Sequence, residues 1–233
     1  MTSRAIGAVQ TMGRLLYPER CMHCGRFDPT AWCPSCRSDV AVISPPWCDV
    51  CGDMGHDGIC ERCRSCPPNF DRARSGIFYS SSVRSIMRRY KYEGCRRLVE
   101  HLTPFLELLL EAEVERGAEI VTAVPSQAIR LWRRGFNPAE LLARRAGEAA
   151  GLTVVFGPLR RSWWGRPQVG LGGERRVANV RGRFSCSLGS VFENRNVVLV
   201  DDIFTTGSTS SEAALALRNA GARSIVALTV ARA

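Results

Sequence analysis

The sequence predicts an α/β protein: a parallel sheet flanked by helices, preceded by a small metal-stapled module. Short apolar runs at Ile120–Val124, Val197–Val200 and Ile225–Val230 read as strands buried on both faces. Stretches of helical periodicity separate them, as a parallel sheet requires. Eight of the eleven cysteines repeat one spacing near the N-terminus, which marks the module. A chain of 233 residues suffices for one substantial core beside such a unit.

Within the module, Cys21, Cys24, Cys33 and Cys36 read C-x2-C-x8-C-x2-C, and Cys48, Cys51, Cys60 and Cys63 repeat it 27 residues later. A C-x2-C turn brings two thiolates to one metal, and two turns complete a tetrahedron, so one or two structural zinc ions are expected. An iron–sulfur cluster and a disulfide framework are the alternatives, and pairing between the two units stays open beside pairing within each. His23 and His56 are possible substitute ligands, though surface roles suit them better. Cys66, Cys95 and Cys186 read as plain thiols. With Trp32 and Trp47 as its main large apolar residues, the module needs metal to fold. Pro67-Pro68 ends it, dividing the chain into 1–68 and 69–233.

After the break, Ile77–Tyr79 opens a strand. Val83, Ile86, Met87 and Tyr90 set the apolar stripe of a helix with arginines opposite. Thr103-Pro104 reads as the cap and first residue of a Leu-rich helix ending near Gly117. Pro125 stops the strand Ile120–Val124. Asn137-Pro138-Ala139-Glu140 combines a capping box with a proline at the first helical position, starting a helix that Gly151 ends. Val154–Phe156 is the next strand. From Arg160 to Arg183 there is little periodicity, and this stretch reads as a long functional loop placed to close over a site. Strand 197–200, a helix over 209–220 and strand 225–230 complete the order.

The formal charge of +10 falls wholly on residues 71–233, because seven arginines balance seven acidic residues in 1–70. Basic clusters lie at Arg84–Arg97, at Arg130, Arg133 and Arg134, and through Arg160–Arg183, including Arg161, Arg166, Arg175, Arg176 and Arg181. They suit a polyanion, either a pyrophosphate or a nucleic-acid backbone. Two Zn(Cys)₄ centres would leave 1–70 at about −4, which argues against the module as the main DNA-gripping surface. Lys91 is the one lysine, a point charge in a chain that otherwise uses arginine. No run of 18 apolar residues predicts a membrane span, and Met1–Leu16 lacks a leader pattern, so a cytoplasmic protein is expected.

The densest chemistry lies at Val197–Thr209. A buried strand leads to Asp201 and Asp202, which belong at its open carboxyl end, and Thr205, Thr206, Gly207, Ser208 and Thr209 follow. Thr209 and Glu212 have capping-box spacing. Carboxylates suit ribose hydroxyls or Mg²⁺, and a hydroxyl-rich loop at a helix N-terminus suits a phosphate. The pair fits a sugar phosphate. No Gly-Lys-Ser/Thr phosphate loop occurs, and Gly170-Leu171-Gly172-Gly173 is misplaced for a dinucleotide fingerprint.

Residues 197–209 resemble the phosphoribosyl-pyrophosphate (PRPP) motif of type I phosphoribosyltransferases. That resemblance implies a type I phosphoribosyltransferase-like sheet in which Asp201 and Asp202 hold the ribose hydroxyls as catalytic residues. Thr205–Thr209 would grip the 5′-phosphate, Mg²⁺ would accompany PRPP, and Lys91, Arg133 and Arg134 would neutralise the leaving pyrophosphate. The whole chain is further similar to the ComF family of competence proteins. The matches are the double cysteine unit, Lys91-Tyr92-Glu93-Gly94, Val124-Pro125, Arg134-Gly135-Phe136-Asn137, Gln168, Gly170-Leu171, Arg176, Asn179, Gly182 and Phe184. Pro138 departs from the family's usual Gln, and Trp163-Trp164-Gly165-Arg166 replaces an expected Thr. This resemblance implies a place in DNA uptake, with single-stranded DNA and uptake proteins as partners. The alternative it leaves is a non-enzymatic protein that binds single strands through arginines and Tyr90, Tyr92, Trp163 and Trp164. No general base stands out; His101 is a candidate only by elimination.

Overall fold

The computed structural model describes residues 19–162, 182–187 and 191–233. The segment read for a leader lies outside the described residues. So do Trp163, Trp164, Arg166, Gln168, Gly170, Leu171, Arg175, Arg176, Asn179 and Arg181.

Single turns α1 (Pro34–Ser38) and α2 (Glu61–Ser65) follow the third cysteine of each unit. β1 (Arg72–Phe78) leads to α3 (Ser81–Tyr92), a 3₁₀ turn (Arg96–Leu98), α4 (Val99–Leu102) and α5 (Pro104–Glu115). β2 (Ile120–Ala123), α6 (Ala128–Arg134), α7 (Pro138–Ala149) and β3 (Thr153–Val154) come next. β4 (Leu159–Arg161) pairs antiparallel with β5 (Phe184–Cys186). β6 (Asn196–Phe204), α8 (Ser208–Asn219) and β7 (Ser224–Arg232) end the chain.

Five strands form one parallel sheet in the order β1-β7-β6-β2-β3. The apolar runs split between its faces, as strand periodicity demands. Val198, Val200 and Leu228 pack with α3, α5 and α7, whereas Val197, Leu199 and Ala227 pack with α8. The crossover after β2 runs toward one edge and the crossover after β6 toward the other. The switch point of the sheet therefore lies between the carboxyl ends of β2 and β6, where α/β sheets bind ligands.

Three details depart from expectation. β6 does not stop before the acidic pair; it runs on to Phe204 because β7 continues to supply partners, with Asp201 opposite Thr229 and Phe204 opposite Arg232. The Thr209–Glu212 capping box does not form. Gly207, at φ 75°, is the N-cap of α8, and Glu212 Oε2 accepts instead from Gly182 N at 3.0 Å. Thr103 is not a side-chain cap either: it sits in helical conformation and donates Oγ1 to the Val99 carbonyl, so α4 runs directly into α5.

The two cysteine units sit on opposite faces of the sheet, the first within the α3/α5/α7 core and the second within the α8 core. The connector between them and the start of the second unit cover the edge strand: Ile43 N donates to Gly76 O and Phe78 N to Ala41 O, while Ala73 N donates to Val50 O between Cys48 and Cys51. An exposed edge that would template aggregation is thereby paired. Trp32 is fully buried, its ring 6.3 Å from Phe105 of α5. Among the described residues no helix is long and apolar enough to cross a membrane.

Trp32→Ala should lower unfolding stability by about 3–5 kcal/mol in urea titrations, the cost of an unfilled aromatic site. Trp32→Phe should cost much less, because the Trp32 Nε1 is buried without a partner and its removal loses no hydrogen bond.

Candidate functional site

Two centres of chemistry emerge, a pair of thiolate clusters and a polar cleft. In each cluster the four sulfurs lie within 4.8 Å of one another, Cys21/Cys24/Cys33/Cys36 in one and Cys48/Cys51/Cys60/Cys63 in the other. Cys24 Sγ and Cys33 Sγ are 3.8 Å apart, and Cys51 Sγ and Cys60 Sγ 3.7 Å. Zinc–sulfur bonds of about 2.3 Å in a tetrahedron require edges of about 3.8 Å, so the sulfurs fit one zinc per unit. A disulfide requires about 2.05 Å, so the sulfurs of the two clusters are not bridged. Pairing is thus within each unit, and neither His23 nor His56 joins a cluster.

The repeat is also electrostatic. Cys60 N and Cys51 N point at Cys48 Sγ, at 3.3 and 3.5 Å, and Cys33 N points at Cys21 Sγ at 3.5 Å. Burial opposes ionisation of Cys48, but the backbone N–H groups of Cys60, Cys51 and Val50 outweigh it and hold the thiol down at about 6. Cys21 is held at about 6 in the same way, against burial, by N–H groups of Cys24, Cys33 and His23. Thiolate is the form that binds metal.

The cleft, about 360 Å³, opens at the switch point. Val124 N makes the last β2 bond to Val200 O; Pro125 has no N–H, and the chain turns away. Asp201 and Asp202 are therefore open on the β2 side while β7 still holds their backbone. Asn137 fixes the departing loop. Fully buried, it donates Nδ2 to Val124 O at 3.1 Å, and its Oδ1 accepts from Ser126 Oγ at 2.8 Å and from Ala139 N at 3.2 Å.

Lys91 reaches the site from the end of α3. Tyr90 beside it is buried, donates Oη to Pro138 O at 2.8 Å and packs edge-on against Phe136 at 5.9 Å, which anchors the helix end. Lys91 Nζ lies 2.8 Å from Asp202 Oδ1, both side chains mostly buried. Burial and the Asp202 charge push the Asp201 carboxyl up to about 7, against the pull of Lys91 and Arg161. Burial and the charges of Arg130 and Arg183 hold Arg161 below its ordinary value.

The cleft gathers Lys91, Arg134, Asp201, Asp202, Thr205 and Thr209. Thr206, Gly207 and Ser208 line a second cavity on the other side of their loop, against the second cysteine unit. Arg133 is exposed and does not line the cleft. Arg130 and Arg161 line it, although the sequence reading counted them only as clustered charge. The four-residue spacing of Arg130 and Arg134 was the available signal, since it puts both on one helix face. Arg161 reaches the cleft from the β4–β5 ribbon, which no local pattern reveals. His101 lies far from this lining, half-buried, with Arg37 Nη1 3.3 Å from its Nδ1.

Residues 12–66 match the double zinc ribbon domain family. Competence protein F of Haemophilus influenzae is 28% identical over 225 residues, spanning 92% of this chain and 97% of its own. DNA utilization protein YhgH of Salmonella typhi is 30% identical over 182 residues, spanning 75% and 79%. The chain belongs to the ComF family. Among solved structures, an adenine phosphoribosyltransferase aligns over 71% of this ComF-family chain and 82% of its own, at 19% identity and a TM-score of 0.41.

Purified protein should carry two zinc ions, and Cys60→Ser should lose one of them by elemental analysis. A second prediction concerns Asp201. Its folded value of about 7 lies above the unfolded carboxyl value. The stabilising proton is fully bound below about pH 4 and is lost as pH rises through 7. Asp201→Asn should therefore stabilise the ligand-free protein at pH 8 by about 2 kcal/mol in urea titrations, with the gain vanishing near pH 4.

Proposed function

We propose that the cleft binds Mg²⁺ with PRPP or a closely related ribose 5-phosphate ester, and that this ligand serves the use of DNA taken up in the cytoplasm. One observation carries the reading: Lys91 Nζ rests on Asp202 Oδ1 in the cleft that also holds Asp201, Thr205, Thr209, Arg130, Arg134 and Arg161. Paired carboxylates accept from the two hydroxyls of a ribose diol. The loop Thr205, Thr206, Gly207, Ser208 and Thr209 offers backbone N–H groups, and Thr205 and Thr209 their hydroxyls, to a 5′-phosphate at the start of α8. Lys91, Arg130, Arg134 and Arg161 supply the positive charge a pyrophosphate needs; exposed Arg133 serves at most from the rim. Mg²⁺, when bound, would screen the pyrophosphate as a leaving group.

The same reading extends to transfer. The bond from ribose C1 to the pyrophosphate oxygen breaks, an acceptor atom bonds to C1, and cations spread along the cleft stabilise the departing charge. Phosphoribosyl transfer is the enzymatic form of the reading. The relatives' names, competence protein and DNA utilization protein, support the link to DNA.

A second reading has its own observation. Trp132 is 81% exposed beside Arg133, and Tyr92 is 65% exposed beneath the Arg134 guanidinium, 4.4 Å from its ring centre. Exposed rings among arginines stack single-stranded bases and meet phosphates, without any transfer.

Calorimetric titration of Mg²⁺–PRPP into zinc-loaded protein tests the first reading. Saturable, Mg²⁺-dependent binding is expected, with affinity reduced at least tenfold in Asp201→Asn/Asp202→Asn. Absence of binding by the wild type would overturn it. Oligonucleotide binding that falls steeply with salt, survives that double variant and weakens in Trp132→Ala would favour the second.

A further inference from the structure

The second cysteine unit and the Thr205–Thr209 loop share a cavity of about 330 Å³, lined by Cys51, Cys63 and Phe70 on one side and Thr206, Gly207 and Ser208 on the other. A continuous set of contacts runs between them. Arg232, 8% exposed, is the cross-strand partner of Phe204 at the end of β6. Its Nη1 donates to the Cys51 carbonyl at 2.8 Å and its Nη2 to Asp53 Oδ1 at 2.9 Å. The same guanidinium lies 4.7 Å from the Phe204 ring centre. The Phe204 ring is fully buried, with Phe70 packed edge-on at 6.1 Å.

That ring is the floor of the loop. A Cβ at Gly207 would lie 2.5 Å from Phe204 Cζ and 3.2 Å from both Cε atoms, so the loop backbone rests against the Cζ end of the ring with no space for a side chain. Gly207 also needs its positive φ to start α8. Any shift of Phe204 therefore moves the N–H groups that open α8.

We propose that Arg232 is a positioning residue through which the second thiolate cluster, and not the first, sets the geometry of the Thr205–Thr209 loop. The guanidinium fork makes two hydrogen bonds to one rigid turn and covers the ring with its face, a pairing of roles a lysine cannot reproduce. Metal in the Cys48/Cys51/Cys60/Cys63 cluster holds the Cys51 carbonyl in place and hence the arginine, the ring and the loop. The first cluster packs on the opposite face of the sheet and, among the described residues, has no such path. The inference rests on the reading of this loop as a phosphate site for its ligand-binding arm alone.

Three sets of variants of the full chain, expressed with zinc, test it. Arg232→Gln should retain two zinc ions by elemental analysis while amide exchange across 205–209 rises about tenfold and exchange at Val198 and Leu228 stays as in the wild type. Ribose 5-phosphate affinity should fall about tenfold, whereas inorganic pyrophosphate, held by Lys91, Arg130 and Arg134, should bind unchanged. General destabilisation would move all five readouts together. Asp53→Ala, which removes the acceptor on one side of the clamp at a half-exposed carboxylate, should give a smaller change of the same pattern and serves if Arg232→Gln does not fold. Finally, Cys60→Ser should speed exchange at 205–209 and Cys33→Ser should not. Unchanged loop exchange in Arg232→Gln or Asp53→Ala, or equal effects from the two cysteine variants, would overturn the proposal. If wild-type protein binds no ribose 5-phosphate, the phosphate reading fails and the exchange measurements still decide the coupling.

Discussion

The parallel pairing of β6 with β7 carries the rest of the molecule. Nine residues of β6 run beside β7 from Asn196 to Phe204, but β2 accompanies them only as far as Val200. That difference in length creates the site. Backbone bonds hold Asp201 and Asp202 rigidly on one side, and Pro125 has opened the other. The same pairing puts Arg232 against Phe204, beneath the loop that starts α8. A shorter β7 would leave the carboxylates on a free strand end, and a longer β2 would close the cleft.

Electrostatic tension follows from this construction. Two adjacent carboxylates in a part-buried cleft repel, and Lys91 sits on only one of them. Burial, with this repulsion added to it, holds the Asp201 carboxyl well above the usual carboxylate range. An arrangement that costs stability in the empty protein is one that a cationic or hydroxyl-bearing ligand relieves. Three arginines in the same walls add to Lys91 and leave the cleft with a surplus of positive charge.

The cysteine units work as part of the fold rather than as a detached appendage. Their connector pairs with β1, Trp32 seats the first unit on α5, and Arg232 ties the second to β6 and β7. Each unit is small and poor in large apolar residues, so metal bonds supply the cohesion its own core lacks. Placing one on each face of the sheet lets two small clusters brace both helical layers.

By itself the sequence determined the elements whose causes are local. Apolar runs marked the interior strands, Asn137-Pro138 marked the start of α7, and repeated C-x2-C spacing marked the two clusters, because strand, cap and metal-turn geometry depend on neighbours a few residues away. Asp201, Asp202, Thr205 and Thr209 were legible as one site for the same reason. Tertiary structure alone decided how far β6 continues, since a strand lasts as long as its partner does, and it decided which thiols pair. It chose Arg130 and Arg161 for the cleft over Arg133, because helix rotation and the packing of a distant ribbon select among charges that look alike in sequence. It also capped α8 with Gly207 instead of the Thr209–Glu212 box, since the Phe204 ring beneath leaves room only for a residue without a side chain.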